Sequence, residues 1–220
     1  MKSKKINKIG ILAIDSPASS GAGTIAKKLA KHYKLLYCDT GKIYRFLAFK
    51  LMNKKNIKNR IKYLKKISKR ISLNKLKSKK LLNDEVAVVA SQIAKDFKIR
   101  KLVLKFQRKL AYSPPKKYRG SILDGRDITS VVVPNANIKF YITANQKIRA
   151  KRRLKELKNL GKKVSFNEVL KKMKKRDRDD RTRKHNKLKK TRDSYLINTT
   201  DLTIRESFLK AKKIVDREIK

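Results

Sequence analysis

The sequence predicts a doubly wound α/β domain, and three observations carry that expectation. Five short apolar runs of strand length alternate with longer segments whose apolar residues recur at helical spacing. The first run, Ile11–Ile14, ends in Asp15 and passes at once into a turn of small residues and then a helix. A later run ends in Asp124-Gly125-Arg126-Asp127, which sets acid, glycine, arginine and acid at the strand end where open α/β sheets form their crevice.

Taken in order, Ile11 to Ile14 have the uniform apolarity of a parallel strand covered on both faces. The turn that follows is Ser16, Pro17, Ala18, Ser19, Ser20, Gly21, Ala22, Gly23 and Thr24. Residues this small let backbone N–H groups converge on phosphate oxygens at a helix N-terminus. Ile25, Leu29 and Tyr33 make the apolar stripe of that helix, and Lys27, Lys28 and Lys31 point elsewhere. The pattern G-x-x-x-x-G-K-[ST] is met only in part: Ser16 stands at the first glycine and Ala22 at the lysine. Taken alone, the turn suits a phosphate site or a plain strand-to-helix connection equally well.

Leu35 to Cys38 form a second strand, and Asp39-Thr40-Gly41 leads into a helix with the stripe Ile43, Leu47 and Leu51. Arg45, in its first turn, suits either a phosphate that also meets Thr40 or a solvent-facing position. Between Asn53 and Leu82 only one amphipathic helix is legible, with Ile57, Ile61 and Leu64 in register; residues 71–82 give no clear signal. Asn83 or Asp84 caps a helix bearing Val86, Val89, Ala90 and Ile93, and a second helix carries Ile99, Leu102, Val103, Phe106 and Leu110. Ser121 to Leu123 are the third strand and Ile138, Phe140 and Ile142 alternate in a fourth. The next helix runs from about Gln146 to Leu160 and stops at Gly161, with Arg149, Arg152 and Arg153 early on it. Ser165 with Glu168, and Thr203 with Glu206, have capping-box spacing at the starts of two further helices, and Tyr195 to Ile197 are the fifth strand. The run Arg176 to Arg183 reads as a solvated charged face or as a mobile lid whose arginines meet polyphosphate.

The strand and turn Ile14-Asp15, Pro17, Ser19-Ser20 and Gly21-Ala22-Gly23-Thr24, followed by Asp39-Thr40-Gly41-Lys42-Ile43-Tyr44-Arg45, resemble bacterial cytidylate kinases, nucleoside monophosphate kinases of the P-loop class. The Asp124–Asp127 tetrad and the Arg176–Arg183 run extend the resemblance over nearly the whole chain. It implies a five-stranded parallel sheet of order 2-3-1-4-5, flanked by helices, in one kinase domain over residues 1–220. The core is residues 6–52 and 119–220, a nucleotide-binding insert spans 53–118, and an arginine-rich lid covers about 155–190. The family's small antiparallel insert is expected in reduced form, because few residues are present for it.

The resemblance further implies transfer of the γ-phosphoryl of ATP to CMP, and dCMP, with Mg²⁺. ATP then belongs to Ser16 through Thr24, with Thr24 on the metal. CMP belongs to Thr40, Arg45, Ser91, Arg100, Arg126, Asp127, Arg176, Asp180 and Arg183, among which Arg126, Arg176 and Arg183 serve the chemistry. Ser91, Arg100 and Asp127 choose the base, and Asp180 reaches the ribose. Taken by residue type alone, Ser91 and Arg100 suit helix packing and surface charge, and the tetrad suits a salt-bridged turn. Ala22 leaves two outcomes: another cation substitutes for the lysine, or the chain is a kinase relic that binds nucleotide without turnover.

Composition sets the outer limits. A chain of 220 residues with 40% hydrophobic content is long enough for one domain with a proper core. Lysine and arginine total 64 against 17 acidic residues, a net charge of +47, and this raises a rival of a different class, an RNA-binding protein. The lysines are spread over nearly every polar helix face, which suits a solvated surface with non-specific RNA affinity better than a dedicated patch. No aromatic RNA-binding motif or Cys/His finger accompanies them. Cys38 is the only cysteine, so no intrachain disulfide forms, and a reducing cytoplasm is expected. The basic opening Met1 to Gly10 is followed by too short an apolar run for an export signal, no segment is long enough to span a membrane, and a monomer is expected.

Overall fold

The computed structural model describes residues 8–219, so most of the basic opening segment, and the reading of it as lacking an export signal, lies outside the described residues. Five parallel strands form one sheet: β1 (Gly10–Asp15), β2 (Leu36–Asp39), β3 (Gly120–Gly125), β4 (Ile138–Thr143) and β5 (Tyr195–Asn198). Their order is β2-β3-β1-β4-β5, as the resemblance implies. Register is fixed centrally by Ile11 opposite Ser121 and Leu12 opposite Ile138.

Strand alternation divides the core in two. Ile11 and Ala13 face one side with Cys38 and Leu123, and are covered by α2 (Gly41–Met52), α3 (Arg60–Ser68), α4 (Asp84–Ile93) and α5 (Phe97–Tyr112). Leu12 and Ile14 face the other with Phe140, Ile142 and Ile197, and are covered by α1 (Ala22–Tyr33) and α8 (Ile204–Glu218). The remaining helices, α6 (Gln146–Asn159) and α7 (Phe166–Thr182), pack on each other through Ala150, Leu157, Val169 and Met173. Both capping boxes form, and Gly161 takes the left-handed conformation that ends α6, with φ of 73°.

Two details differ from the sequence expectation. Ile57 lies outside α3, because Asn59 accepts a hydrogen bond from the Lys62 N–H and starts the helix at Arg60. The stretch 71–82, which carries no clear periodic signal, contains two short 3₁₀ turns, Lys75–Lys77 and Lys79–Leu82, which bury Leu76 and Leu81. Among the described residues the insert region holds no strand, so helices and tight turns replace the antiparallel element. Among the same residues, no helix is long and apolar enough to cross a membrane.

One buried carboxylate ties the sheet to the segment beyond β3. Asp15 accepts from the N–H of Ile128 at 2.7 Å, and from the N–H and hydroxyl of Thr129 at 2.9 and 2.6 Å. This fixes the chain immediately after Asp127. Burial outweighs these donors and pushes the Asp15 carboxyl up to about 6, from an ordinary value of 3.8. Between about pH 4 and pH 6 the folded protein therefore keeps a proton that the unfolded chain has released, and stability from this group falls as pH rises through that window. The melting temperature of the natural chain relative to Asp15→Asn should decline from pH 4 to pH 6 and level off above it. A difference independent of pH would contradict this account of Asp15.

Candidate active site

The cleft lies at the C-terminal ends of β1, β2 and β3. Ser16 continues β1 by donating its N–H to the Gly125 carbonyl at 3.1 Å. The turn then reverses through Ser19 and Gly21, both with positive φ (57° and 87°). Gly21 is the N-cap of α1 and provides no side-chain cap, so the opening amides of the helix remain suited to an anion. Ala22 is buried in the β1–α1 core, and Thr24 is exposed on the first turn.

The turn is braced from behind by α6. Arg149, buried, donates to the carbonyls of Ala144 (2.9 Å) and Ala18 (3.1 Å) and pairs with buried Asp177 at 2.6 Å. Arg152 donates to the Thr199 hydroxyl and carbonyl at 3.0 and 2.6 Å, and that hydroxyl donates to the Ser20 carbonyl at 2.8 Å. The clustering of arginines early on α6 is visible in the sequence, but their attachment to the turn is not.

At the strand ends, Thr40 is buried and donates its hydroxyl to the Asp124 carbonyl at 2.7 Å, so its proton is already used within the protein. The Asp124 carboxyl lies against Gly23 and accepts from the Tyr37 hydroxyl at 3.3 Å. Burial, and then the neighbouring Asp39, push it up to about 8. Arg45 reaches across from α2 to donate to the Leu81 carbonyl at 2.9 Å; desolvation lowers its pKa, and Asp39 opposes that.

Asp180 of α7 gathers three arginines. Arg126 from the end of β3 lies 2.9 Å away, Arg183 3.5 Å and Arg176 4.0 Å. Burial alone would raise the Asp180 carboxyl, but Arg126, Arg176 and Arg183 outweigh it and hold it below the usual carboxylate range. Arg176 is 42% exposed, yet its guanidinium is pushed down to about 10 by desolvation and then by Arg126, with Arg45 and Arg153 adding to it. Arg153, which sequence reasoning left without a role, thus stands in this cluster and pairs with Asp84 at the start of α4 at 3.0 Å.

Beside the arginine cluster is a buried ion pair. Arg100 meets Asp127 at 2.5 Å, each side chain 5% exposed. Arg100 also donates to the Ala94 carbonyl at 2.9 Å and lies over the Tyr44 ring, while its Nε is buried without a partner. Asp127 further accepts from Asn186 Nδ2 at 2.9 Å, a contact that nothing in the sequence pattern announces. Ser91 sits half-buried on α4, and among the described residues no hydrogen bond engages its hydroxyl. The structure therefore brings these residues together in two groups, Arg100 with Asp127, and Arg126, Arg176 and Arg183 with Asp180, bridged by Asn186 and with Arg45 within electrostatic reach of Arg176. Thr40 is committed to the backbone.

A parallel sheet of this order flanked by helices, with a small-residue turn at the end of β1 and arginines gathered between the end of β3 and α7, has the architecture of the nucleoside monophosphate kinase fold. The family model described as cytidylate kinase matches residues 12–217. The chain belongs to the cytidylate kinase family. A cytidylate kinase of Bartonella tribocorum (strain CIP 105476 / IBS 506) is 40% identical over 214 residues, covering 96% of each chain. One from Mesorhizobium japonicum (strain LMG 29417 / CECT 9101 / MAFF 303099) is 37% identical over 205 residues, covering 93% of each. A crystal structure of an uncharacterized protein from Eubacterium ventriosum ATCC 27560 matches the fold with a TM-score of 0.53 at 18% identity, covering 94% of this chain and 98% of that one.

Breaking the buried pair from one side leaves an uncompensated charge, which costs about 3–5 kcal/mol. Arg100→Met should therefore lower stability by about that amount in denaturant unfolding, and adding Asp127→Leu should recover most of the loss. A double variant that loses the sum of the two single effects would show that the pair is not coupled.

Proposed function

We propose that the chain transfers the γ-phosphoryl group of ATP to CMP, and to dCMP, giving CDP or dCDP and ADP. The observation that carries this reading is the cluster of Arg126, Arg176 and Arg183 around Asp180, directly beside the buried Arg100–Asp127 pair, in a member of the cytidylate kinase family. The cluster suits phosphates, and the pair suits a base edge that offers both a donor and acceptors.

On this reading a phosphate oxygen of CMP attacks the γ-phosphorus in line, and the bond to the bridging oxygen of ADP breaks. The protein acts by positioning and charge neutralisation, without a covalent nucleophile. Arg45 and Arg126 hold the acceptor phosphate, Arg176 and Arg183 close on the transferring group, and Asp180 turns to the ribose as nucleotide displaces it from the arginines. Ser91, Arg100 and Asp127 read cytosine, with Thr40 orienting the Asp124 strand end. The turn from Ser16 through Thr24 cradles the ATP phosphates, and Arg152 flanks that turn.

Mg²⁺ fits the residues present. Mg²⁺ keeps several waters and needs only one or two carboxylates. Asp124 and Asp39 form such a pair, with Asp124 held up by burial and by the like charge of its neighbour, and Thr24 stands in the first turn of the adjacent helix. When bound, the metal would neutralise charge on the transferring phosphates, and Thr24, Asp39 and Asp124 would hold it. We further read the chain as a cytoplasmic monomer whose net charge gives non-specific affinity for RNA.

The test is ADP release from Mg·ATP with CMP, dCMP, UMP and AMP as separate acceptors, with Ala22→Lys beside the natural sequence. Turnover selective for CMP and dCMP is expected in both, with Arg45→Ala and Arg126→Ala each reducing kcat/KM for CMP by about 10²-fold or more. Silence in the natural chain with activity in Ala22→Lys would mark a relic that binds nucleotide without turnover. Silence in both would overturn the reading.

A further inference from the structure

The last turn of α7 and the segment after it make three contacts across the cleft, with the turn between α4 and α5, with the start of α5 and with the residues after β3. Asp179 pairs with Lys95 at 2.7 Å, the His185 ring lies against Phe97 at 4.7 Å between centroids, and Asn186 donates to Asp127 Oδ2. The third contact differs from the others because it ends on the carboxylate assigned to the base. Asn186 takes the left-handed conformation, with φ of 56°, which asparagine tolerates better than most residues. Its carbonyl accepts from the Arg183 guanidinium, Nε at 2.6 Å, and two residues on the Leu188 N–H donates to the Asp180 carbonyl at 2.8 Å. The turn is thereby fastened to two lid residues of the arginine cluster, Arg183 and Asp180, and its side-chain amide is the piece presented to Asp127.

Resting on the cytidylate kinase reading, we infer that Asn186 is a positioning residue that couples closure of the lid to recognition of the base. Its Nδ2 and the Arg100 guanidinium both bind Asp127 Oδ2. Two donors on one oxygen fix the rotation of the carboxylate and direct Oδ1 toward the donor edge of an aminopyrimidine. An open lid withdraws Asn186, leaves Asp127 to Arg100 alone and frees the carboxylate to turn. Base recognition and assembly of the phosphate-binding arginines then favour the same closed state, since Arg183 grips the carbonyl of the residue whose amide holds Asp127. Hydrogen bonds to a charged group are among the stronger ones in proteins, so losing this one should be measurable in CMP affinity.

The experiment measures CMP and Mg·ATP affinity calorimetrically for the natural chain, Asn186→Gly and Asn186→Asp, with melting temperatures alongside. Glycine keeps the left-handed backbone and removes only the amide. Aspartate keeps the shape and replaces the donor with a second carboxylate beside Asp127. The expected result is a loss of about tenfold in CMP affinity for Asn186→Gly and a larger loss for Asn186→Asp, with Mg·ATP affinity and the melting temperature of Asn186→Gly unchanged. CMP affinity retained in both variants, or CMP and Mg·ATP affinity falling together, would overturn the inference while leaving the kinase reading intact. No CMP binding by the natural chain would overturn both.

Discussion

The cleft depends on one carboxylate. Guanidinium groups gathered this closely repel one another, by about 4 kcal/mol per pair at 4 Å in a medium of effective dielectric 20. Asp180 makes the arrangement possible by offering its two oxygens to arginines from different elements: Arg126 from the end of β3, and Arg176 and Arg183 from the lid. It offsets part of their charge and leaves the rest. Desolvation is the first cause of the lowered Arg176 pKa, and the charges of Arg126, Arg45 and Arg153 add to it. On the proposed reading this residual positive potential suits an anion that carries several charges, and the same contact ties α7 to the end of β3.

The sheet prepares the other half of the site. Asp15 ends β1, where its uniform burial favours an apolar residue, and its three accepted hydrogen bonds set the course of the chain after Asp127. Asp127 is then held by Arg100 from α5 and Asn186 from the lid turn. The absence of a lysine at Ala22 falls on the opposite wall. There Arg149 and Arg152 secure the backbone carbonyls of the turn or the Thr199 side chain bound to it, which fixes the shape of the turn.

Much of this was legible in the sequence for local reasons. Alternation in β4, the caps at Ser165 and Thr203, and Gly161 at the end of α6 are decided within a few residues and are found as expected, and of Asn83 and Asp84 it is Asn83 that caps α4. Arg126 and Asp127 were marked by the acid-glycine-arginine-acid tetrad at a strand end, and Asp180 only by the family resemblance. What escaped was set by contacts far apart in the chain. Asn186 acquires its part from Asp127, 59 residues away, and Arg152 from Thr199, 47 residues away. The stretch 71–82 lacks a periodic signal because its order comes from burying Leu76 and Leu81 in 3₁₀ turns against α2 and α4. Thr40 was placed correctly at its strand end, but the direction of its hydroxyl depends on the Asp124 carbonyl across the sheet.

On the proposed reading the arginines gathered around Asp180 form a phosphate site beside a pocket for the base. The most direct measurement is the melting temperature of the natural chain with saturating CMP and, separately, with cytidine at the same concentration. The account predicts that CMP raises it clearly and cytidine much less, since the nucleoside lacks the group that the arginines receive. Equal shifts from the two would contradict the account.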